Sequence, residues 1–279
     1  MSLDTSDSVI NLRVSCFFFY LLFWHFINPE YILNFTKLPS ELWVPSGLLA
    51  IFKEPIIVPI WLISVLSILW KLSCVLCATG YFFKIFSKIF FFITFFMFNI
   101  QYSYGYQTHT YLPLVLVSFV LAFCNENKIF CIRFVFCSIF FSAGVSKLRN
   151  GGFDWIFSES MQNILIRSEI FYHDNSALAY KYKFNLLLAK NLILTQASAF
   201  FVVLLEIMSP MALFANKLRY PIVLALLLTQ ISILFLIFVN FKVYTLLYIF
   251  WINWDYLYKK FIKDTYLMRK LLIASSTFR

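Results

Sequence analysis

Apolar runs close to the roughly 20 residues that a helix needs to cross a bilayer recur along the whole chain, as at 192–214 and 221–239. That recurrence leaves few ways to fold. Inside a hydrocarbon layer every backbone N–H and C=O must be bonded within the protein, so only helices and closed barrels can span it. Barrel strands alternate apolar and polar residues over about ten positions, whereas these runs are apolar all round. Helices are therefore predicted. The composition agrees, with 62% apolar and 13% charged residues and a mean hydropathy of +0.82, against about 45–50% and about 25% in soluble domains. The expected fold class is all-α: a polytopic integral membrane helical bundle, multi-pass in the cell membrane, with the lipid bilayer as its first partner.

About eight spans are predicted, at 14–27, 56–80, 85–100, 110–124, 129–146, 192–214, 221–240 and 243–258. The last is interrupted by Asn253 and Asp255, which leaves open whether it crosses or lies in the interface. Segment 28–55 holds Pro29, Pro39, Pro45, Gly47 and Pro55 and reads as a loop that dips into the interface at 42–52. Lys84/Lys88, Lys128/Arg133, Lys217/Arg219 and the tail from Lys259 to Arg279 all fall on one side of these spans. Because cytoplasmic loops carry the excess of Lys and Arg, that side is the cytoplasm and holds both termini. The connection 101–109 and a polar segment at about 148–191 are then extracytoplasmic. The start of the chain lacks a basic n-region, so 14–27 reads as a retained first span and not a cleaved signal. Residues 1–279 read as a single transmembrane domain.

Several function classes drop out. The net charge of +10 sits between apolar segments and in the tail, where it orients the chain, so nucleic acid is not an expected partner. The 36 Phe suit a lipid-facing surface. Cys74 and Cys77 have a redox-like spacing, but they lie in an apolar run without the strand-to-helix setting of a thioredoxin site, so they read as buried apolar cysteines. His25, His109 and His173 lack close ligand spacing, so no metal is expected.

An ionisable side chain at membrane depth costs at least about 2.5 kcal/mol on insertion scales, which makes each one a site or a pairing hypothesis. Five stand out: Arg13, Lys71, His109, Lys147 and Glu206. Arg13 and Lys71 can snorkel along their aliphatic stems. Glu206 has no such route in the run 200–207, so it must be protonated or paired with a basic group on another helix. Lys147 closes the run 129–145 after Ser142, Ala143, Gly144 and Ser146, small residues that let helices approach closely. An amine enclosed by protein can accept a proton, whereas a solvated one stays an ammonium. His109 falls on the same side as Lys147 under this topology, either as a second site group or as a helix-terminal hydrogen-bonding group.

The stretch Phe140-Phe-Ser-Ala-Gly-Val-Ser-Lys-Leu148, then Asp154-Trp155 and Glu159-Ser-Met161, resembles the central motif of the HTTM family, the membrane domain of vitamin K-dependent gamma-carboxylase and its bacterial relatives. Gln107-Thr-His-Thr-Tyr-Leu112 and Leu205-Glu-Ile-Met-Ser-Pro210 resemble two further segments of that family, and Arg13 stands where many members carry an arginine. The resemblance implies Lys147 as catalytic base, His109 as a second active-site group, and Glu206, Arg13 and Trp155 in supporting or pairing roles. It further implies carboxylase-like lyase or ligase chemistry, with a reduced quinone as hydrophobic cofactor. Some short members resemble the membrane component that matures a secreted peptide toxin, so a peptide on the outer side is one implied substrate. The chain departs from the family in a longer Lys147-to-Trp155 interval and in Gln230, where many members have histidine. Two non-enzymatic readings stand beside this one. In the first, a membrane assembly or binding subunit uses Lys147, His109 and Glu206 as a buried network holding helices or another subunit together. The second is a transporter, for which no inverted repeat is visible.

Overall fold

The computed structural model describes residues 7–27, 44, 58–103, 111–170, 179–237 and 242–257, and every regular element among them is helical. The order is α1 (Asp7–Ile27), α2 (Ile60–Thr79), α3 (Phe83–Ser103), α4 (Tyr111–Phe123), α5 (Lys128–Gly151), α6 (Asp154–Phe157), α7 (Ser160–Ile170), α8 (Ala179–Ala189), α9 (Leu192–Met208), α10 (Met211–Phe214), α11 (Asn216–Ile237) and α12 (Lys242–Leu247). A 3-10 turn, Tyr248–Trp251, and α13 (Trp254–Leu257) follow. The predicted loop at 28–55 lies outside the described residues apart from Val44, as do the basic tail from Lys259 and most of the connection 101–109.

Among the described residues four helices, α2, α3, α5 and α11, are long and apolar enough to cross a membrane, and a fifth span results if α8 and α9 are taken together. The protein is therefore all-helical over the described residues, with several apolar helices of membrane-crossing type. The other predicted runs are shorter or interrupted within the described residues, the side chains of α1 being described over 12–23. α4 has 13 residues. The run 192–214 is broken at Ser209-Pro210, between α9 and α10. The run 243–258 is not one helix, because the Asn253 side chain accepts a hydrogen bond from Tyr256 N and starts a new turn there. The polar segment at about 148–191, read from sequence as a loop, is largely helical in α6, α7 and α8, with 171–178 outside the described residues. Among the described side chains its helices bury narrow stripes, such as Leu165 on α7 and Asn185 with Ala189 on α8, too few apolar positions to stand out as a run.

The chain forms two compact units, the first comprising 1–132 and 249–279 and the second 133–248. In the first, α1 packs on α2, α2 on α3 and α3 on α4. Its centre is aromatic: Phe18 meets Phe90 edge to face at 5.1 Å, and Trp70 lies 5.2 Å from Phe90. The Trp70 indole N–H donates to the Thr94 hydroxyl at 3.0 Å, which gives a buried donor the partner it needs. Cys74 and Cys77 are buried on α2 as free thiols. Arg13 does not snorkel as the sequence suggests. It is fully buried, and its guanidinium donates to the Ile252 carbonyl at 3.3 Å, so the segment around α13 covers it on α1. Lys71 is half-buried on α2.

In the second unit α9 and α11 pack together, α7 packs on α8, α9 and α11, and α6 packs on α7 and α9. Side-chain amides bind these pieces through backbone carbonyls. Gln162 donates to Ala189 O at 2.6 Å, Asn185 to Leu236 O at 2.8 Å and Gln196 to Phe157 O at 2.5 Å. On the α5 side, Phe136 meets Tyr248 edge to face at 4.9 Å, and Cys137 is a buried free thiol.

Candidate functional site

The second unit brings three of the sequence-selected residues together. Lys147 lies inside α5, which runs four residues further before Gly152, at φ +57°, turns the chain. Helical side chains lean towards the N-terminus of their helix, and Lys147 leans back towards Gly144. There α9 crosses. The Lys147 Nζ donates to the Glu206 Oε1 at 2.5 Å, the amine side chain being 25% exposed and the carboxylate 9%. The charge on α9 that needed a partner thus has one 59 residues away in sequence.

The crossing depends on a missing side chain. A Cβ at Gly144 would stand 2.9 Å from the Glu206 Cβ, 3.1 Å from the Ile207 Cγ1 and 3.2 Å from the Ile207 backbone N. Any other residue would hold α9 away, and the carboxylate with it. A second notch lies two turns on. A Cβ at Gly151 would stand 2.9 Å from the Trp155 Cβ, so this glycine lets α6 fold back until the Lys147 Nζ sits 5.0 Å from the centroid of the Trp155 ring. An amine over an indole face is a favourable cation–π arrangement. Gly144, Lys147 and Gly151 share one stripe of α5 through spacings of three and four, and that stripe carries both notches and the charge between them.

Ser209 adds a tie that the sequence reading did not single out. Its hydroxyl lies 2.9 Å from the Cys137 carbonyl and 2.7 Å from the Glu206 carbonyl, and with one hydrogen it donates to either. It links the end of α9 to α5 beside the ion pair. A serine just before Pro210, at the end of an apolar run, was the available signal. One polar atom in the site is unsatisfied: the Glu206 Oε2 is buried without a hydrogen-bond partner among the described residues. The Oε1 of Gln230 on α11, also in this unit, is in the same condition.

The other expected residues are placed differently. Arg13 belongs to the first unit, with Ile252 as a partner. His109 lies outside the described residues. No group of three His, Cys, Asp or Glu suited to a metal ion occurs among those described.

Comparison with known proteins gives no match to any family model, to any curated protein or to any solved structure. The fold and site themselves define the class: an all-helical chain with several helices of membrane-crossing character, carrying an ion pair and an indole at a helix crossing that glycine makes possible.

Proposed function

We propose that this chain is a multi-pass membrane protein of HTTM type and that the Lys147–Glu206 pair is its reactive centre, acting on a peptide or small substrate at the extracytoplasmic side. One observation carries the reading. A pair serving only to staple two helices gains most when both oxygens of the carboxylate are bonded and both ends are enclosed, whereas here the Lys147 side chain is a quarter exposed and the Glu206 Oε2 has no partner among the described residues. Moving one proton from Nζ to Oε1 yields a neutral amine and a carboxylic acid without changing the net charge of the site. The amine can then take a proton from a substrate acid, which is general-base chemistry. Glu206 then releases the proton it took from Nζ, to the product or to water, and the ammonium–carboxylate pair is restored. Trp155 keeps the amine in place through the face of its ring.

His109 enters through the resemblance alone, as a donor to developing oxyanion charge. The reduced quinone enters the same way. The residues present fit it to this extent: the partly exposed Lys147 side chain is the group that would accept the proton of a ring hydroxyl. Such a cofactor would supply reducing equivalents for carboxylase-like chemistry. The eight-span arrangement with both termini in the cytoplasm belongs to the same proposal, supported by the one-sided Lys and Arg clusters.

A second reading is favoured by the tight contact at Gly144: a non-catalytic membrane assembly subunit in which the pair fixes helix spacing. Mass spectrometry of secreted peptides and small molecules separates the two, comparing cells that express the native chain with cells that express Lys147→Arg or Lys147→Ala. Loss of a specific product at unchanged membrane abundance supports the base. Equal product profiles, or a fall in abundance that accounts for the product lost, rejects it in favour of the structural role.

A further inference from the structure

We propose that α8 is an in-plane membrane anchor whose Lys183 and Leu187, with Lys190 just past its end, sit in the phospholipid headgroup layer. The inference rests on reading the chain as a membrane protein and adds where one end of its second unit meets the bilayer. The first observation is an angle. Lys183–Ala189 and Leu192–Met208 together have the apolarity of a span, yet they meet at 90°. The turn is built in, because the Asn191 side chain accepts a hydrogen bond from Leu194 N and so caps α9 as a separate helix. If α9 enters the bilayer, a helix at right angles to it lies along the surface.

The second observation is what α8 shows on each side. Its inner stripe is fixed to the protein: Asn185 is buried and bonded to Leu236 O, and Ala189 is buried with its carbonyl taken by Gln162. Lys183 and Leu187, four apart on another stripe, and Lys190 just past the helix are exposed, Leu187 at 66%. At the same end, Ile193 is 80% exposed and Phe157, whose carbonyl binds Gln196, is 60% exposed. Water would leave these apolar groups wet. The hydrocarbon core would strand the two ammonium groups. The headgroup layer satisfies both, with apolar side chains reaching the acyl boundary and lysines meeting phosphate.

The placement has a consequence for the site. Glu206 follows Leu192 by fourteen residues, about 21 Å along α9 at about 1.5 Å per residue. The Lys147–Glu206 pair then lies below the anchored surface, so a substrate from the extracytoplasmic side enters the protein or the bilayer to meet it.

The full-length chain in phosphatidylcholine/phosphatidylglycerol vesicles tests the proposal. A fluorescent amino acid is placed at Leu187 or, as a deep reference, at Phe201 on α9, and is quenched with lipids brominated at different depths. Quenching of the Leu187 probe by bromines near the headgroup, and of the Phe201 probe by bromines deep in the chains, is expected. Brominated phosphatidylglycerol should be preferred at Leu187 by about fivefold per lysine, and the charge-reversed K183E/K190E chain should lose that preference. A Leu187 probe untouched by lipid, with the Phe201 probe quenched from the deep positions, overturns the anchor and leaves the membrane reading standing; α8 then faces water or another protein. Equal depths for both probes also overturn it, in favour of a re-entrant pair inside the core. Absence of quenching at both positions removes the membrane reading itself. An unchanged lipid preference in the charge-reversed chain overturns the phosphate contact.

Discussion

Gly144→Ala isolates the contact on which the site depends. The added methyl would lie 2.9 Å from the Glu206 Cβ and 3.2 Å from the Ile207 backbone N, where comfortable carbon contacts lie at about 3.5–4.0 Å. The obstacle includes main chain, which cannot swing aside as the end of a flexible side chain can. The tighter contact requires the helices to part by about 0.6–1.1 Å, and overpacking of this kind costs about 1–3 kcal/mol. An opposing term must be subtracted, because alanine in place of glycine within a helix favours folding by about 0.5–1 kcal/mol. The net expectation is a loss of about 0–2.5 kcal/mol for Gly144→Ala and a larger loss for Gly144→Leu, read from the thermal or denaturant midpoint of the purified chain in detergent. Parting the helices also stretches the Lys147–Glu206 pair, so Lys147 should be modified faster by an amine-reactive reagent in the alanine variant. The opposite outcome is specific: a stabilisation near 1 kcal/mol, with Lys147 reactivity unchanged, is what an open helical glycine gives, and it would refute the close crossing.

Other outcomes follow from the same geometry. Lys147→Met leaves a buried carboxylate without its partner, which costs about 3–5 kcal/mol for a fully enclosed pair and less here because the amine is partly exposed; adding Glu206→Leu should recover most of that stability, and a double variant no more stable than the single one contradicts the pairing. Gly151→Ala should push Trp155 away from α5 and raise the reactivity of the Lys147 amine with a smaller effect on stability than Gly144→Ala, as measured by amine labelling and peptide mass spectrometry. Arg13→Met should loosen the segment around Ile252 and speed proteolytic cleavage beside it, whereas an unchanged digestion pattern would show that the buried guanidinium is not what holds that segment.

What could be read from residues alone depended on whether the signal was local. The apolar runs placed α2, α3, α5 and α11 to within a few residues, since burial in lipid or protein demands an unbroken apolar stretch. The stop of α2 at Gly80, with φ 85°, is equally local. Lys147 was taken as the end of its helix, yet α5 continues to Gly151, because polar residues such as Arg149 and Asn150 are tolerated on exposed turns. α7 and α8 escaped notice for the related reason that their described side chains bury few apolar positions. Glu206 was legible as a charge that needed a partner. The identity of that partner was not, because it depends on two helices meeting at a glycine whose value lies in the side chain it lacks. Arg13 was misjudged because its covering segment comes from the far end of the chain.

The thiols described above turn this protein into its own sensor. Cys74 and Cys77 are buried in the first unit and Cys137 in the second, all unoxidised. A thiol-reactive dye added during heating can reach these positions only as the surrounding helices open, and peptide mapping of the adducts assigns each opening to its unit. The relative resilience of the two halves can thus be ranked on the native sequence, without an engineered label.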